Sequence, residues 1–303
     1  MANITLKQLR YLDALARHGH FGRAAEACAI SQPALSVQIK SLEAELGAAL
    51  FDRGPRDLRV TNLGEQVLQR AQSILRSVEE LSDFARTAQD RLVGRLRLGI
   101  IPTIAPYLLP ALIGRLSQEH FGIDVHVRET LTPTLIQELL DGKLDTAIVA
   151  LPVSEPSLTE VALFSERFVL VRPKGDADRP VPSVDDLREM RLLLLEEGHC
   201  FRDQALSFCN IQSVLARDGL DASSLSTLVQ MVGAGIGVTL VPEMAVHVES
   251  RSADVDVTSF PAPEPSRTIG MVWRKTSPMG DALTKIADQV RIAGDEMRSK
   301  AGS

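Results

Sequence analysis

Hydrophobic residues at the start of the chain recur at the spacing of a helix. In "LKQLRYLDALARH", residues 6–18, apolar side chains stand three or four positions apart, which predicts an amphipathic helix that ends at Gly19. The Ala-rich stretch "FGRAAEACAI" predicts a second, short helix, whose small side chains allow the two helices to cross closely. Together they are the first part of a helix-turn-helix pattern.

A third helix is predicted in "SQPALSVQIKSLEAELG". Ser31 is placed to cap its amino end, Pro33 suits its first turn, and Gly47 is placed to end it. We expect its apolar side to consist of four residues, which are Val37, Ile39, Leu42 and Leu46.

The next segment, "LFDRGPRDLRVT", predicts a hairpin wing because Gly54 and Pro55 form a turn signal between two short β-prone pieces. Three arginines cluster there: Arg53, Arg56 and Arg59. A charge cluster alone favours a solvated loop. Directly after a helix-turn-helix, the same cluster is placed to meet phosphates or a minor groove.

Residues 62–89 are predicted to form one long polar helix. Its apolar residues follow each other at steps of four or three, which predicts a coiled-coil seam. They are Leu63, Val67, Ala71, Ile74, Val78, Leu81, Ala85 and Ala88. The narrow stripe favours pairing with a second copy of the chain, and the alternative is that it packs on the chain's own body.

Beyond Gly94, which is expected to end the long helix, strands and helices alternate. The strand candidates are "RLRLGII", "IDVHVRE", "TAIVAL", "RFVLVRP", "RLLLLE", "VTLVP" and "RTIGMVW". Helices such as "PYLLPALIGRLSQEH" and "TLIQELLDGK" lie between them. The alternation predicts an α/β fold with largely parallel sheets, in which ligands bind beyond the carboxyl ends of strands.

Composition narrows the function classes. Three cysteines in 303 residues argue for a reducing compartment. The first residues lack the apolar segment of a signal peptide, and prolines that would break a membrane-spanning helix interrupt the longest uncharged stretch. We therefore expect a cytoplasmic protein that is not bound to a membrane. The net charge of −6 divides into +1 for residues 1–91 and −7 for the remainder, which permits a small DNA-binding module. We expect no cofactor, since "VGAGIGVTLVP" lacks the lysine and spacing of a phosphate loop, and no metal, since the cysteine spacing matches no metal motif.

Several of these segments resemble the LysR-type transcriptional regulators over nearly the full length. They are "AAEACAISQPALSVQIKSLEAELGAALFDR" in the head and "GKLDTAIVA" and "VGAGIGVTLVP" in the body. Three further segments, "GHCFRDQALSFC", "IPTIAPYLLP" and "RTIG", resemble the branch of the family that senses hydrogen peroxide. The resemblance implies a winged helix-turn-helix in residues 1–61, a dimerising linker helix in 62–90 and a periplasmic-binding-protein-like α/β effector domain in 91–303. That domain would have two subdomains, one of 91–165 with 268–303 and the other of 166–267.

Cys200 and Cys209 stand nine positions apart, which matches no metal motif and no C-x-x-C site. Cys200 follows a buried run, and the residues behind it predict a helix. A thiol at a helix amino end beside His199 and Arg202 is expected to carry more thiolate, the form that peroxide oxidises. The alternative, for Cys200 as for Cys28, is a buried structural cysteine, and for Cys28 we expect that alternative.

If the segment is one helix, the Cα atoms of Cys200 and Cys209 are about 13 Å apart. A disulfide needs about 4.4–6.8 Å. The two thiols would then join only after local unfolding, which suits a switch better than a permanent cross-link. With the resemblance, this makes Cys200 the peroxidatic cysteine and Cys209 the resolving one.

The third helix is expected to enter the major groove with its amino-terminal residues. Glutamine amides suit adenine edges, and hydroxyl or cationic groups suit bases and phosphates. The candidate DNA contacts are Ser31, Gln32, Pro33, Ser36, Gln38, Lys40, Arg53 and Arg56. Ser31 and Pro33 are equally explained as a cap and a first-turn residue.

The resemblance also implies a set of polar residues that hold peroxide and protonate the leaving hydroxide: Thr103, Thr132, His199, Asp203 and Arg267. Arg202, beside Cys200, is a further candidate for supporting peroxide. Three of the set have ordinary alternatives, since Thr103 or Asp203 could cap a helix and Thr132 could be a loop residue. Ser226 departs from the acidic residue expected in relatives, and that change would alter reaction rate or redox poise.

The implied partners are double-stranded promoter DNA, hydrogen peroxide as the signal, RNA polymerase, and glutaredoxin or thioredoxin as reductant. The implied assembly is a homotetramer built as a dimer of dimers. One alternative is a regulator that responds to a small metabolite, with incidental cysteines. Another is a thiol peroxidase or reductase, but an enzyme leaves the head and the long helix without a purpose.

Overall fold

The chain is seen in a computed structural model that describes residues 4–53, 58–87, 94–119, 123–176, 180–183, 186–187, 190–209 and 221–301. Contacts divide it into a head unit, which ends at Ala85, and a body unit, which begins at Arg86. Each unit has its own hydrophobic core. None of the described helices is long and apolar enough to cross a membrane.

The head unit contains the three predicted helices, the hairpin and the long helix. Its elements are α1 (Leu6–His18), α2 (Phe21–Ala27), α3 (Gln32–Leu46), β1 (Phe51–Arg53), β2 (Leu58–Val60) and α4 (Asn62–Thr87). Ser31 caps α3 by accepting a hydrogen bond from the Ala34 amide, and Gly47 ends it with a φ of 68°. The predicted turn at Gly54 and Pro55, and Arg56 beside it, lie outside the described residues.

The buried side of α3 differs from the predicted one. Leu35, Ile39 and Leu42 are buried, whereas Val37 is 63% exposed and Leu46 is 36% exposed. Val37 stands two residues after Leu35, or about 200° around the helix, so it points away from the core. Including Val37 and Leu46 in the apolar side was therefore wrong.

The apolar stripe of α4 faces two ways. Ala71 is only 2% exposed, and Val67 packs against the same head core. Leu63, Ile74 and Leu81 are 46%, 48% and 66% exposed. Two residues of the predicted seam therefore belong to the head's own core, and three others remain on the surface. Ala88 lies outside the described residues.

The body unit consists of strands with intervening helices. The strands are β3 (Gly94–Ile100), β4 (Ile123–Glu129), β5 (Thr146–Leu151), β6 (Leu158–Pro173), β7 (Leu194–Leu195), β8 (Asp221–Ala222), β9 (Thr239–Pro242), β10 (Val255–Ser259) and β11 (Ser266–Arg274). The helices are α5 (Ala105–Glu119), α6 (Thr132–Leu140), α7 (Cys200–Phe208), α8 (Leu225–Gly233), α9 (Glu243–Glu249) and α10 (Gly280–Ala301), with a 3-10 turn at Ser250–Ser252. The α/β prediction is confirmed. Gly94, which was expected to end the long helix, is the first residue of β3.

The main sheet has the order β10-β6-β11-β5-β3-β4, and β9 also pairs with β6. β3 runs parallel to β4 and β5, while β11 runs antiparallel to β5 and β6, and β6 antiparallel to β9 and β10. The prediction of largely parallel pairing was therefore wrong. The reason is that β6 and β11 carry the chain between the two halves of the body in opposite directions.

β6 is the strand that joins the halves. Its residues 158–167 pair with β11, and its residues 168–173 pair with β9 and β10. At the junction, Glu166 and Arg267 are opposite each other on neighbouring strands. The predicted strand beginning at Arg167 is thus only the second half of a longer one.

Candidate functional site

A small pocket lies where three connections leave the carboxyl ends of strands. The connections follow β3, β4 and β7 and lead into the amino ends of α5, α6 and α7. The pocket is lined by Ile101, Pro102, Thr103, Leu131, Thr132, Gly198, His199 and Cys200. Since the amino end of a helix carries partial positive charge, this arrangement favours an anionic or strongly polarised group in the pocket.

Cys200 is the first residue of α7, and a turn at Gly198 places it there. Gly198 has a φ of 94°, a left-handed conformation that other residues adopt only with strain. A Cβ atom at this position would lie 2.9 Å from the Leu131 side chain. Gly198 therefore lets the β7–α7 connection approach Leu131 closely, which brings the Cys200 thiol into the pocket.

Helix α7 separates the two cysteines as the sequence predicted. Cys209 follows its last turn, is fully buried, and donates its backbone N–H to Ala205 at 3.0 Å. Nine residues of helical rise correspond to about 13 Å. Cys28, Cys200 and Cys209 are all free cysteines in the structure.

Cys28 is half-buried at the carboxyl end of α2, not fully buried as expected. Burial raises the pKa of its thiol, and the nearby Asp13 carboxylate raises it further. The Cys28 thiol is therefore kept protonated and poorly reactive.

Thr103 is held by the buried Arg267. The guanidinium donates to the Thr103 hydroxyl oxygen at 2.8 Å and to its backbone carbonyl at 3.2 Å. Thr103 and Arg267 are 2% and 4% exposed. Because a guanidinium has donors only, the Thr103 oxygen must accept, and the hydroxyl hydrogen remains available to a molecule in the pocket.

Thr132, which also lines the pocket, presents the opposite case. Its hydroxyl oxygen is shielded from solvent and has no hydrogen-bond partner in the described part of the chain. A buried polar group left in this way costs about 1–3 kcal/mol. A small molecule that both donates and accepts hydrogen bonds would satisfy Thr132 and Thr103 together.

The expected cationic setting of Cys200 is corrected in part. Burial lowers the pKa of His199 below its usual 6.5, and Glu196 only partly opposes this, so the ring is neutral near pH 7. The Arg202 guanidinium faces elsewhere: it donates to the Leu195 carbonyl at 2.7 Å and pairs with Asp221 at 2.8 Å. His199 lines the pocket, but Arg202 does not.

Asp203 is also absent from the pocket lining, since it is exposed in the first turn of α7. Arg267 does not line the pocket either, but its guanidinium contacts the lining residue Thr103. Arg202 was suggested by its closeness to Cys200 in sequence and Asp203 by the resemblance, and a helix sends neighbouring side chains in different directions.

A larger cavity of about 470 Å³ adjoins the pocket and shares Thr103 and His199 with it. At its floor Glu249 accepts hydrogen bonds from Tyr107 at 2.7 Å and from Ser226 at 2.5 Å. Burial and the bond to Glu249 raise the pKa of Tyr107. Ser226 supplies Glu249 with a donor, whereas an acidic side chain at that position would face a second carboxylate.

The candidate DNA contacts lie on the outer side of α3. Ser31, Gln32, Pro33 and Lys40 are exposed, while Ser36 and Gln38 are half-buried. Arg53 ends β1. The outer side also has an apolar strip that the sequence did not single out, made of Pro33, Ala34 and Val37.

Sequence reasoning also missed Glu166, Phe168 and Phe201, which surround Arg267. Glu166 is 1% exposed and pairs with Arg267 at 2.8 Å. Burial raises the pKa of Glu166, and the Arg267 charge opposes that rise. The available signal was an acidic residue inside the apolar run "LFSERFVLV", since buried carboxylates are rare unless they are paired.

Family models and individual relatives agree on what this chain is similar to. Residues 6–65 match the model of the bacterial regulatory helix-turn-helix protein, lysR family, and residues 89–294 match that of the LysR substrate binding domain. The DNA-binding transcriptional dual regulator OxyR of Escherichia coli is 39% identical over 96% of both chains. A probable hydrogen peroxide-inducible genes activator of Streptomyces viridosporus is 40% identical over 95% of this chain and 94% of its own.

Two solved structures are similar over the whole length. Full-length OxyR from Pseudomonas aeruginosa, in a cysteine-to-aspartate variant, has a TM-score of 0.75 at 36% identity and 96% coverage of both chains. A cysteine-to-serine variant of Corynebacterium glutamicum OxyR, bound to hydrogen peroxide, has a TM-score of 0.69 at 35% identity, covering 98% of this chain and 95% of that one.

Proposed function

Since this chain belongs to the LysR family of bacterial transcriptional regulators, we propose that it binds promoter DNA through its head and senses hydrogen peroxide at Cys200. The relatives that it matches over nearly its full length are peroxide-responsive regulators and not enzymes. In this chain, peroxide would act at the pocket that Thr103, Thr132 and Cys200 line.

The observation that carries the proposal is the pairing of two threonines beside one thiol. Thr103 has a hydrogen to donate, the Thr132 oxygen has no partner among the described residues, and Cys200 lines the same pocket. Hydrogen peroxide has two O–H donors and two oxygen acceptors on adjacent atoms. It therefore suits a small polar pocket that needs one donor and one acceptor satisfied at once.

The chemistry follows from the positions of these groups. The Cys200 thiolate attacks one peroxide oxygen, so that an S–O bond forms, the O–O bond breaks, and the sulfur is oxidised to a sulfenic acid. The departing hydroxide receives a hydrogen bond from Thr103 and a proton from solvent, and leaves as water. The positive end of α7 stabilises the thiolate beforehand, and His199 excludes bulk water from one side.

Cys209 completes the switch. Its thiolate attacks the Cys200 sulfur, an S–S bond forms, and the sulfenic oxygen leaves with a proton as water. Because α7 holds the two residues about 13 Å apart, this step requires the helix to unwind. The change in the body is then the signal that alters DNA binding.

The DNA contacts are proposed for the outer side of α3, with Gln32 and Gln38 on base edges and Lys40 on a phosphate. Arg53 and Arg56 are proposed as wing contacts. Exposed Leu63, Ile74 and Leu81 support pairing of α4 between two copies. For the whole assembly we propose a dimer of dimers in the cytoplasm that contacts RNA polymerase and is reduced by a dithiol such as glutaredoxin or thioredoxin.

The test is a footprint on the DNA upstream of the protein's own gene, with reduced and peroxide-treated protein. Wild type should change its footprint, Cys200→Ser should not, and Cys209→Ser should stop at a sulfenic acid that a dimedone probe captures. Cys28→Ser should behave as wild type. A peroxide response in Cys200→Ser, or a disulfide that includes Cys28, would refute the assignment.

The cavity of about 470 Å³ favours a second candidate function, a response to a small metabolite. Its volume falls within the range of ligand pockets, which is about 300–1,000 Å³. This candidate requires a footprint change in Cys200→Ser when a small-molecule fraction of a cell extract is added. A footprint that responds only to peroxide, and only with Cys200 present, rejects it.

A further inference from the structure

Glu166 belongs to neither the pocket nor the cysteine pair, yet it is one of the most deeply buried charges that the structure describes. It is 1% exposed in the middle of β6, where the residues two positions away on the same face, Phe164 and Phe168, are buried and apolar. A buried carboxylate is costly unless it is paired and hydrogen-bonded, and its pairing gains little stability over a hydrophobic replacement. Its place in this strand therefore calls for an account other than stability.

Both carboxylate oxygens of Glu166 are fixed by the surrounding backbone and side chains. One accepts the Met244 backbone N–H at 3.2 Å, and the other accepts the Arg267 side chain at 2.8 Å. Because the two contacts lie on different elements, the carboxylate has one orientation. The Arg267 guanidinium is consequently held at one of its edges.

The remaining edge of the Arg267 guanidinium carries the contacts to Thr103 described above. The rings of Phe168 and Phe201 lie 5.9 Å and 5.5 Å from its central carbon, and the two rings meet edge to face at 5.0 Å. Phe201 directly follows Cys200 in α7. The guanidinium thus has a fixed position relative to both the threonine and the thiol.

We infer that Glu166 is a positioning residue for the peroxide reaction: it orients Arg267, which makes the Thr103 oxygen an acceptor and directs the Thr103 hydrogen to the pocket. The inference rests on the proposed function, because it concerns how peroxide is held at Cys200. Without Glu166, the guanidinium loses its fixed edge, and Thr103 spends part of its time with its hydrogen directed elsewhere. In enzymes, misplacing one hydrogen-bond donor lowers the reaction rate by about tenfold or more.

The test uses full-length reduced protein and two reagents for Cys200. One is hydrogen peroxide, whose leaving oxygen needs a donor, and the other is iodoacetamide, whose iodide leaving group does not. We expect Glu166→Gln to lower the ratio of the peroxide rate to the iodoacetamide rate by about tenfold. A merely structural role would loosen the pocket and change both rates together, leaving the ratio unaltered.

Two further variants connect the effect to Thr103. Thr103→Val should lower the same ratio, and the double variant with Glu166→Gln should be no lower than Thr103→Val alone, since the two residues act in one chain of contacts. The matched control is Asp145→Asn. Asp145 is a buried carboxylate immediately before β5 of the same sheet, is paired with Arg97 at 2.7 Å, and does not line the pocket. We expect it to lower stability without altering the ratio.

The outcomes separate the inference from the proposed function. An unaltered ratio in Glu166→Gln, with a lowered ratio in Thr103→Val, overturns the inference and leaves the peroxide site standing. A peroxide rate that survives Thr103→Val and Thr132→Val overturns the site itself. If Glu166→Gln does not fold, Arg267→Lys serves instead: an ammonium cannot hold Glu166 and Thr103 with two edges, so the ratio should fall, and an unaltered ratio counts against the inference.

Discussion

The ion pair between Arg202 and Asp221 should contribute to the redox potential of the Cys200–Cys209 pair. Arg202 stands two residues after Cys200 inside α7, and Asp221 lies on β8. In the proposed switch, joining Cys200 to Cys209 requires α7 to unwind, and Arg202 moves with it. The ion pair would therefore stabilise the reduced protein and be lost on oxidation.

The size of the effect follows from the exposure of the two partners. Arg202 is 6% exposed at its side chain but Asp221 is 37% exposed, and the two atoms are 2.8 Å apart. Solvent screening on the Asp221 side places the pair near the upper end of surface ion pairs, at about 1 kcal/mol. For a two-electron couple, 1.4 kcal/mol corresponds to about 30 mV, so Asp221→Asn should shift the midpoint by about 20 mV.

The sign is fixed by which state loses the contact. Asp221→Asn raises the free energy of the reduced protein only, so reduction becomes less favourable and the potential becomes more negative. The assay is equilibration in dithiothreitol buffers of graded ratio, followed by alkylation of thiols and mass measurement. Asp288→Asn is the control, because Asp288 pairs with Arg291 on α10, outside the pocket and outside α7. An unchanged or more positive midpoint for Asp221→Asn would refute the reasoning.

Further expectations concern DNA binding, assembly and pH. Gln32→Ala should relax base preference by about 1–3 kcal/mol in a competition assay, and intact preference would argue against a base contact. Because Val37 is 63% exposed beside α3's polar contacts, it should read thymine methyl groups: uracil in a selected site should weaken wild-type binding and leave Val37→Ala unaffected, as gel shifts would show. Glu at both Ile74 and Leu81 should place like charges in the α4 pairing surface and dissociate the oligomer in sedimentation, whereas an unaltered sedimentation coefficient means that α4 does not pair there. The lowered pKa of His199 means that the unfolded chain binds its proton first, so stability is full above pH 6.5 and falls below it as pH approaches the folded pKa. His199→Gln should remove that part of the acid loss in urea titrations, and an identical pH profile would exclude His199 as its source.

The parts of the fold that sequence predicted well are those with local causes. Ser31, Pro33 and Gly47 act through the backbone within one turn, and the structure shows them in the expected places. The helix behind Cys200 has the same kind of local signal. The pairing of strands does not, because β6 and β11 meet only through contacts between residues far apart in sequence.

The residues of the candidate site likewise fall into those close together in sequence and those brought together only by the fold. The thiol, its turn and its helix are contiguous, and sequence placed them correctly. Glu166 and Arg267 are 101 positions apart, so neither spacing nor composition relates them. Arg202 shows the converse error: closeness in sequence suggested a partner for Cys200, and the geometry of a helix directed the side chain to Asp221 instead.

The register of β6 and β11 has a consequence for any attempt to divide this protein. Glu166 and Arg267 face each other across the ladder, so the stretch between them begins and ends at adjacent points of the sheet, like an insert with its two ends side by side. That insert carries both cysteines of the proposed switch, while Thr103 and Thr132 belong to the surrounding chain. On that proposal, the insert transplanted alone into another protein would carry the thiols without the hydroxyls that are proposed to hold peroxide. The insert that is easiest to transplant is therefore not the whole unit proposed to recognise peroxide. If the insert and the surrounding chain were expressed separately, the two pieces would have to reassemble before either could select peroxide.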